Sequence, residues 1–328
     1  MQTRRLGREG PEITVLGLGS WVFSGEGGLG LGPADDQESI RTIRHAIESG
    51  INWIDTAPIY GMGHSEEVTG RALRSWTPGK DVYIFTKCGL TWPAGGGPAA
   101  FDAVTRNLRP ASIRAECEQS LLRLGVERID LYQFHWPDNV TGTAVEDSWS
   151  TMVELIEEGK VRWSGVSNFD VGLLERCEKI RHVDSQQVPL NLINRAALSE
   201  VIPWCAAHGT GVITYGPLAT GLLAGAIDRA RLAGLTEDDR RRSLPRFQEP
   251  ALSANLNFVD LLRQLAQRLR MELPPLAVAW VLSRPGVTGA ICGARRPEQL
   301  DGWLPARDII LGQGELDEME AAIRHAGV

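Results

Sequence analysis

Pro110-Ala111-Ser112-Ile113-Arg114-Ala115-Glu116-Cys117-Glu118-Gln119-Ser120-Leu121-Leu122-Arg123-Leu124-Gly125-Val126-Glu127-Arg128-Ile129-Asp130-Leu131-Tyr132-Gln133-Phe134-His135 is the stretch that decides the fold. Its first half is amphipathic and predicts a helix over 112–124, opened after Pro110 and stopped at Gly125. Its second half predicts a strand over Ile129–Phe134. A helix that passes through a short glycine turn into an apolar strand is half of a βα repeat.

Outward from this unit the same alternation runs through the chain. Strands are predicted at 15–18, 52–54, 82–86, 161–165, 185–188, 212–214 and 287–291. Helices are predicted at Asp36–Glu48 (closed by Gly50), 66–74, 144–158, 173–180, 200–207, 256–269 and 276–282. Eight strands, each followed by helical material, point to a parallel sheet. Their even spacing, with no linker-like shift in composition, favours closure over two domains. The expectation is an α/β fold, a (β/α)8 TIM barrel, in one domain over 1–328. Residues 4–6 and Glu12–Thr14 are expected to pair as a hairpin turned at Gly10-Pro11. Three longer insertions, 25–35, 90–109 and 216–250, each follow a strand and precede its helix. That is the end of a barrel where active sites are built.

The chain has 328 residues, 43% hydrophobic and 23% charged, enough to bury a large core. Its net charge of −7 weighs against a nucleic-acid surface, which needs a concentrated basic patch. The one basic run, Arg240 to Arg242, follows Glu237-Asp238-Asp239 and reads as a balanced, solvated loop. Cys88, Cys117, Cys177, Cys205 and Cys292 are scattered without a C-x-x-C pair, which favours a reducing compartment over disulfides or a zinc cluster. The N-terminal residues lack the apolar run of a signal peptide, and no stretch approaches the ~20 apolar residues of a membrane span. A cytoplasmic protein without a membrane or metal partner is expected, its oligomeric state open.

Gly25-Glu26-Gly27-Gly28-Leu29-Gly30 satisfies G-x-G-x-x-G, and Asp55 ends the next strand, as in a dinucleotide-binding fold. The fingerprint requires its glycines in the turn that joins strand directly to helix. Here Trp21-Val22-Phe23-Ser24 intervenes before them and Leu31-Gly32-Pro33-Ala34-Asp35 after them, so a glycine-rich loop is the better reading.

Polar residues at strand ends carry the chemistry. Asp55 and Tyr60 follow the second strand, Lys87 the third and His135 the fourth, and a closed barrel brings these ends to one mouth. A phenol titrates near ~10, too high for easy proton transfer at neutral pH. An ammonium at roughly 4 Å would favour the phenolate by up to about 4 kcal/mol at an effective dielectric of 20. Asp55 would keep Lys87 charged and oriented, and a neutral His135 would donate a hydrogen bond to a carbonyl oxygen. Each residue alone has a bland reading as a cap or core-edge residue. Lys87, ending an apolar strand, is the hardest to read that way, and the conjunction is far less expected by chance than any one member.

These residues sit in segments that resemble the aldo-keto reductases. Asn52-Trp53-Ile54-Asp55-Thr56-Ala57-Pro58-Ile59-Tyr60-Gly61, the strand ending in Lys87, and the stretch from Leu124 to His135 look like that family's motifs, in the family's order. The resemblance runs from about Leu6 to Leu300. It implies a hydride transfer between NADP(H) and a small carbonyl or alcohol, with Tyr60 as proton donor, Lys87 and Asp55 tuning it, and His135 orienting the substrate. It also implies that Ser167, Asn168 and Gln187 hold the nicotinamide carboxamide and that Tyr215 stacks on the ring. Gly216, Pro217, Leu218, Gly221 and Leu222 would then pass over the pyrophosphate. Gly293, Ala294, Arg295, Arg296 and Gln299 resemble the adenosine-phosphate segment, the arginines favouring NADP over NAD. Cys292 stands where the family often has proline, and Asp301-Gly302-Trp303 where it commonly has an acidic or amide pair. Trp21, Trp92 and Trp136, each after a barrel strand, are candidate walls of a substrate pocket. Two rivals from other classes are a binding protein similar to the potassium-channel β subunits and a metal-dependent hydrolase using His64, His135 and Asp55. The complete tetrad favours catalysis over the first, and the lack of a close histidine pair weighs against the second.

Overall fold

The computed structural model describes residues 1–25, 34–74, 82–93, 103–236 and 239–328. The glycine run 26–30, residues 31–33, the glycines 95–97 and residues 237–238 lie outside the described residues. The chain opens with β1 (Thr3–Arg5) and β2 (Glu12–Thr14), antiparallel, with Arg4 opposite Ile13. Eight parallel strands then close a barrel: β3 (Leu16–Gly19), β4 (Trp53–Asp55), β5 (Tyr83–Cys88), β8 (Ile129–Phe134), β9 (Val161–Ser167), β10 (Ser185–Pro189), β11 (Gly211–Tyr215) and β12 (Val287–Gly293). Strands β6 (Leu90–Thr91) and β7 (Thr105–Arg106) form a separate antiparallel ribbon at the base of the 90–109 insertion.

Helices α1 (Asp36–Glu48), α2 (His64–Arg74), α3 (Pro110–Leu124), α4 (Val145–Glu157), α5 (Val171–Glu178) and α6 (Val201–His208) are set between consecutive barrel strands. Helices α7 (Arg229–Ala233), α8 (Ala251–Arg268) and α9 (Leu273–Leu282) lie between β11 and β12, and α10 (Pro297–Trp303) and α11 (Gln313–Ala326) follow the last strand. Local chemistry sets their ends. Pro110 occupies the first turn of α3, and Gly125 ends it in the left-handed region at φ 68°. Asp35 caps α1 by accepting from the Glu38 amide. None of the described helices is long and apolar enough to cross a membrane.

The eight expected strands all form. Most run one or two residues further toward the mouth than their apolar cores suggested, because polar residues such as Lys87 and Ser167 continue the ladder. The hairpin turn is longer than expected. It occupies residues 6–11, with Leu6 N–H donating to the Pro11 carbonyl at 2.9 Å and Gly7 at φ 67°. Helices α7, α10 and α11 were not foreseen.

Side-chain alternation along the strands builds the barrel in layers. Trp53, Phe85, Leu131, Ile213 and Ile291 pack together inside, with Leu6 and Ile13 of the hairpin joining them. Gly17 leaves the room that Trp53 fills, for a Cβ there would meet its ring at 2.2 Å. Two residues further along three of these strands come Asp55, Lys87 and Gln133. The parity that sends an aromatic or leucine into the apolar layer therefore sends a polar group into the layer above it.

Candidate active site

Lys87 is wholly buried and Asp55 nearly so. The lysine Nζ lies 2.5 Å from Asp55 Oδ1, 3.0 Å from the Thr56 carbonyl and 3.4 Å from the Tyr60 hydroxyl. All three hydrogens of the ammonium are thus directed to oxygen. The second Asp55 oxygen accepts from Gln187 Nε2 at 2.9 Å and from Gln133 Nε2 at 3.4 Å. Tyr60 meets His135 edge-on, with ring centroids 5.7 Å apart. The structure therefore brings Asp55, Tyr60, Lys87 and His135 into one group at the mouth.

The electrostatics differ in one respect from expectation. Lys87 was expected to bring the Tyr60 phenol down. Burial is the largest influence and pushes it up; Lys87 opposes this and Asp55 adds to it, leaving the net shift upward. Water is a better solvent for a phenolate than this enclosure is, and one ammonium offsets only part of the loss. Burial also opposes charge on Lys87, but Asp55 and Tyr60 outweigh it and raise its pKa. His135 is held well below the usual histidine range, first by burial and then by Lys87. Tyr60 and His135 keep part of their surface open, while their titrating atoms lie deep.

Next to this group, Asn168 Nδ2 donates to the His135 carbonyl at 3.1 Å and to Ser167 Oγ at 3.0 Å, and Ser167 Oγ donates to the Gln187 carbonyl. The Tyr215 hydroxyl donates to Asn168 Oδ1 at 2.9 Å. Asn168 itself takes φ 62°, a left-handed conformation that these bonds hold. The nicotinamide-site candidates thus form one connected network touching the tetrad. Beyond Tyr215, Gly216 and Gly221 have positive φ, and a Cβ at either would point into open space. Backbone exposed in this way fits a bound phosphate group. Pro217 and Leu218 lead into a kinked 3-10 segment, Ala219–Ala224, where Leu222 turns inward and is buried. At the end of β12, Gly293 is exposed, Ala294 is buried and the Arg295 amide donates to Gln299 Oε1 at 2.8 Å.

A model of the Aldo/keto reductase family matches residues 15–324. The chain belongs to the aldo/keto reductase family. It is 36% identical to the aldo-keto reductase YhdN of Bacillus subtilis, over 92% of this chain and 89% of that one. It is 33% identical to an NADH-specific methylglyoxal reductase of Escherichia coli, over 94% of each. Among solved structures it resembles the glycerol dehydrogenase of Gluconobacter oxydans, with a TM-score of 0.88, 34% identity, and coverage of 99% of this chain and 95% of that one. This aldo/keto reductase is therefore an oxidoreductase that works with a nicotinamide cofactor on a carbonyl or alcohol.

The three tryptophans occupy different settings. Trp92 packs with Ala57, Ile59, Tyr60, Leu90 and Val104, beside the tetrad. Trp21 lies half-buried in the turn Ser20–Phe23 after β3. Trp136 is also half-buried, and the Arg106 guanidinium lies 5.0 Å from its ring centroid. His64 bonds to Asp36 at 2.8 Å, a role at the helix ends, and no three metal-ligating side chains cluster among the described residues. Two residues escaped the sequence reading. Gln133 looked like one more position in an apolar strand. Arg241, in the run read as a solvated loop, is instead packed against the buried Asp239 and acts electrostatically on Arg295. The only local signal was the Asp239-x-Arg241 spacing.

Proposed function

We propose that this aldo/keto reductase, acting as one barrel unit in the cytoplasm, uses NADP(H) to interconvert a small aldehyde, ketone or sugar with its alcohol, with Tyr60 as proton donor. The observation that carries this reading is the buried Lys87, its ammonium shared between the Asp55 carboxylate and the Tyr60 hydroxyl. When bound, the nicotinamide supplies or accepts the hydride. The upward shift of the Tyr60 phenol keeps its proton in place at neutral pH until the carbonyl oxygen gains negative charge. The phenolate left behind faces Lys87 at 3.4 Å. Asp55, with Gln187 and Gln133, keeps the ammonium in that position. His135, neutral at physiological pH, donates from its ring to the same substrate oxygen and fixes its direction. Trp92 and its apolar neighbours, with Trp21, wall the pocket.

For the coenzyme, Arg295 and Arg296 would contact a 2′-phosphate, with the Arg241–Asp239 ion pair close enough to act on Arg295. A relative is named for NADH specificity, so the preference rests on this chain's own arginines and not on the family. The test is a fluorescence titration with NADPH and, separately, NADH, followed by the Tyr60→Phe variant. Saturable binding with NADPH preferred, and a variant that still binds NADPH but loses about 10²–10⁴-fold in turnover, is the expected result. Turnover at the parent level on a good substrate would remove Tyr60 from its role.

A further inference from the structure

Helix α1 runs beside the turn that follows β12 and helix α10 after it, and is tied once to each. Thr42 Oγ1 donates to the Arg295 carbonyl at 3.3 Å, and His45 Nε2 lies 2.7 Å from Asp301 Oδ1. Between the two segments is a shallow cleft of about 490 Å3 lined by Glu38, Arg296, Glu298 and Gln299. Glu38 stands on the α1 side of it. Its amide is capped by Asp35 at 2.7 Å, and its carboxylate lies 3.3 Å from Arg41 on the next turn. The lining therefore sets two carboxylates, one of them already paired with Arg41 at its rim, against one guanidinium and one amide.

That balance has a chemical consequence for whatever the cleft receives. A carboxylate only accepts hydrogen bonds, and a ribose diol offers two donors to it. A phosphate monoester offers almost none near neutral pH and carries about −1.5 to −2 charge, which a carboxylate repels. Acidic and basic side chains at a coenzyme ribose divide NAD from NADP on these grounds.

We propose that Glu38 is a coenzyme-specificity residue, which accepts hydrogen bonds from the adenosine ribose hydroxyls of NADH and opposes the 2′-phosphate of NADPH across this cleft. The enzyme then uses both coenzymes, with a preference for NADPH narrower than Arg295 and Arg296 alone would set. This rests on the reading above that the adenosine end of the coenzyme lies along Arg295–Gln299.

Dissociation constants for NADPH and NADH, measured by titration on the parent and on Glu38→Gln at low and high salt, test it. The parent binds both coenzymes. In Glu38→Gln, NADPH tightens by about fivefold and NADH does not, so the ratio of the two constants moves toward NADPH. The NADPH gain shrinks as salt screens the removed charge. A merely structural role for Glu38 would shift both coenzymes together and be indifferent to salt, and that result overturns the proposal while leaving the coenzyme site intact. A parent that binds neither coenzyme overturns the site assignment itself.

Discussion

Lys87 was the most legible residue of the site, because a lysine ending an apolar strand has no comfortable place unless an anion meets it. The same logic failed for Gln133, since an uncharged amide in such a strand raises no conflict that a reader can detect. The pair also sets up a sharp stability test. Lys87→Met leaves the buried Asp55 carboxyl without its ammonium, and is expected to cost about 3–5 kcal/mol. Adding Asp55→Asn removes the stranded carboxyl while keeping an oxygen for Gln187, and should recover most of that loss without restoring turnover. Urea midpoints and a turnover assay on the two variants check this; no recovery in the double variant would show that Asp55 is not what the lysine was neutralising. The arginines admit a parallel comparison. Replacing Arg295 and Arg296 together with alanine is expected to weaken NADPH by about tenfold or more and NADH far less. Equal losses, read by the same fluorescence titration, would remove them from the 2′-phosphate.

At the level of elements, strands and helices were readable because their periods are local, and the insertions were not because their contacts are distant. The 216–250 insertion shows this: Asp239 does balance Arg241, but nothing local says that the fold carries the pair to Arg295, over fifty positions away. The 90–109 insertion is seated in the same hidden way. Gly89, at φ 90°, donates its amide to Glu116 Oε2 of α3 at 2.9 Å, Ser112 donates to the other oxygen, and Asn107 returns to the Gly89 carbonyl. Burial, followed by the amide, the hydroxyl, Glu66 and Arg123, leaves the Glu116 carboxyl raised to about 7. An unfolded glutamate titrates near ~4.3. Between these values the folded protein keeps a proton that the unfolded chain has released. The Glu116 contribution is therefore fully present below the window and is lost as pH rises through about 7. Glu116→Gln should flatten this part of the profile by up to about 3 kcal/mol. Urea midpoints at pH 5 and pH 8 measure it, and parallel profiles for parent and variant would place the titration elsewhere.

Across the whole molecule, the barrel axis separates what folds the protein from what it does. At the mouth stand Asp55, Lys87 and Gln133, and directly below them on the same strands stand Trp53, Phe85 and Leu131. The hairpin reaches that lower layer with Leu6 and Ile13, both wholly buried, and the Arg4 guanidinium secures it by donating to the Leu282 and Val287 carbonyls. The sequence announced the hairpin by its Gly10-Pro11 turn but not this closure, since nothing local says that Leu6 joins Ile213 and Trp53 in one layer. Leu6→Ala removes apolar volume from a packed layer and is expected to cost about 2–5 kcal/mol. The polar groups above are fixed by their own hydrogen bonds, so kcat/KM of this variant should stay within about twofold of the parent below its melting temperature. Tyr60→Phe should show the converse, a melting temperature near the parent's and turnover largely lost. Melting curves and steady-state kinetics on the two variants decide it. If Leu6→Ala lowers turnover as steeply as stability, the lower layer is also positioning the mouth, and the separation along the axis fails.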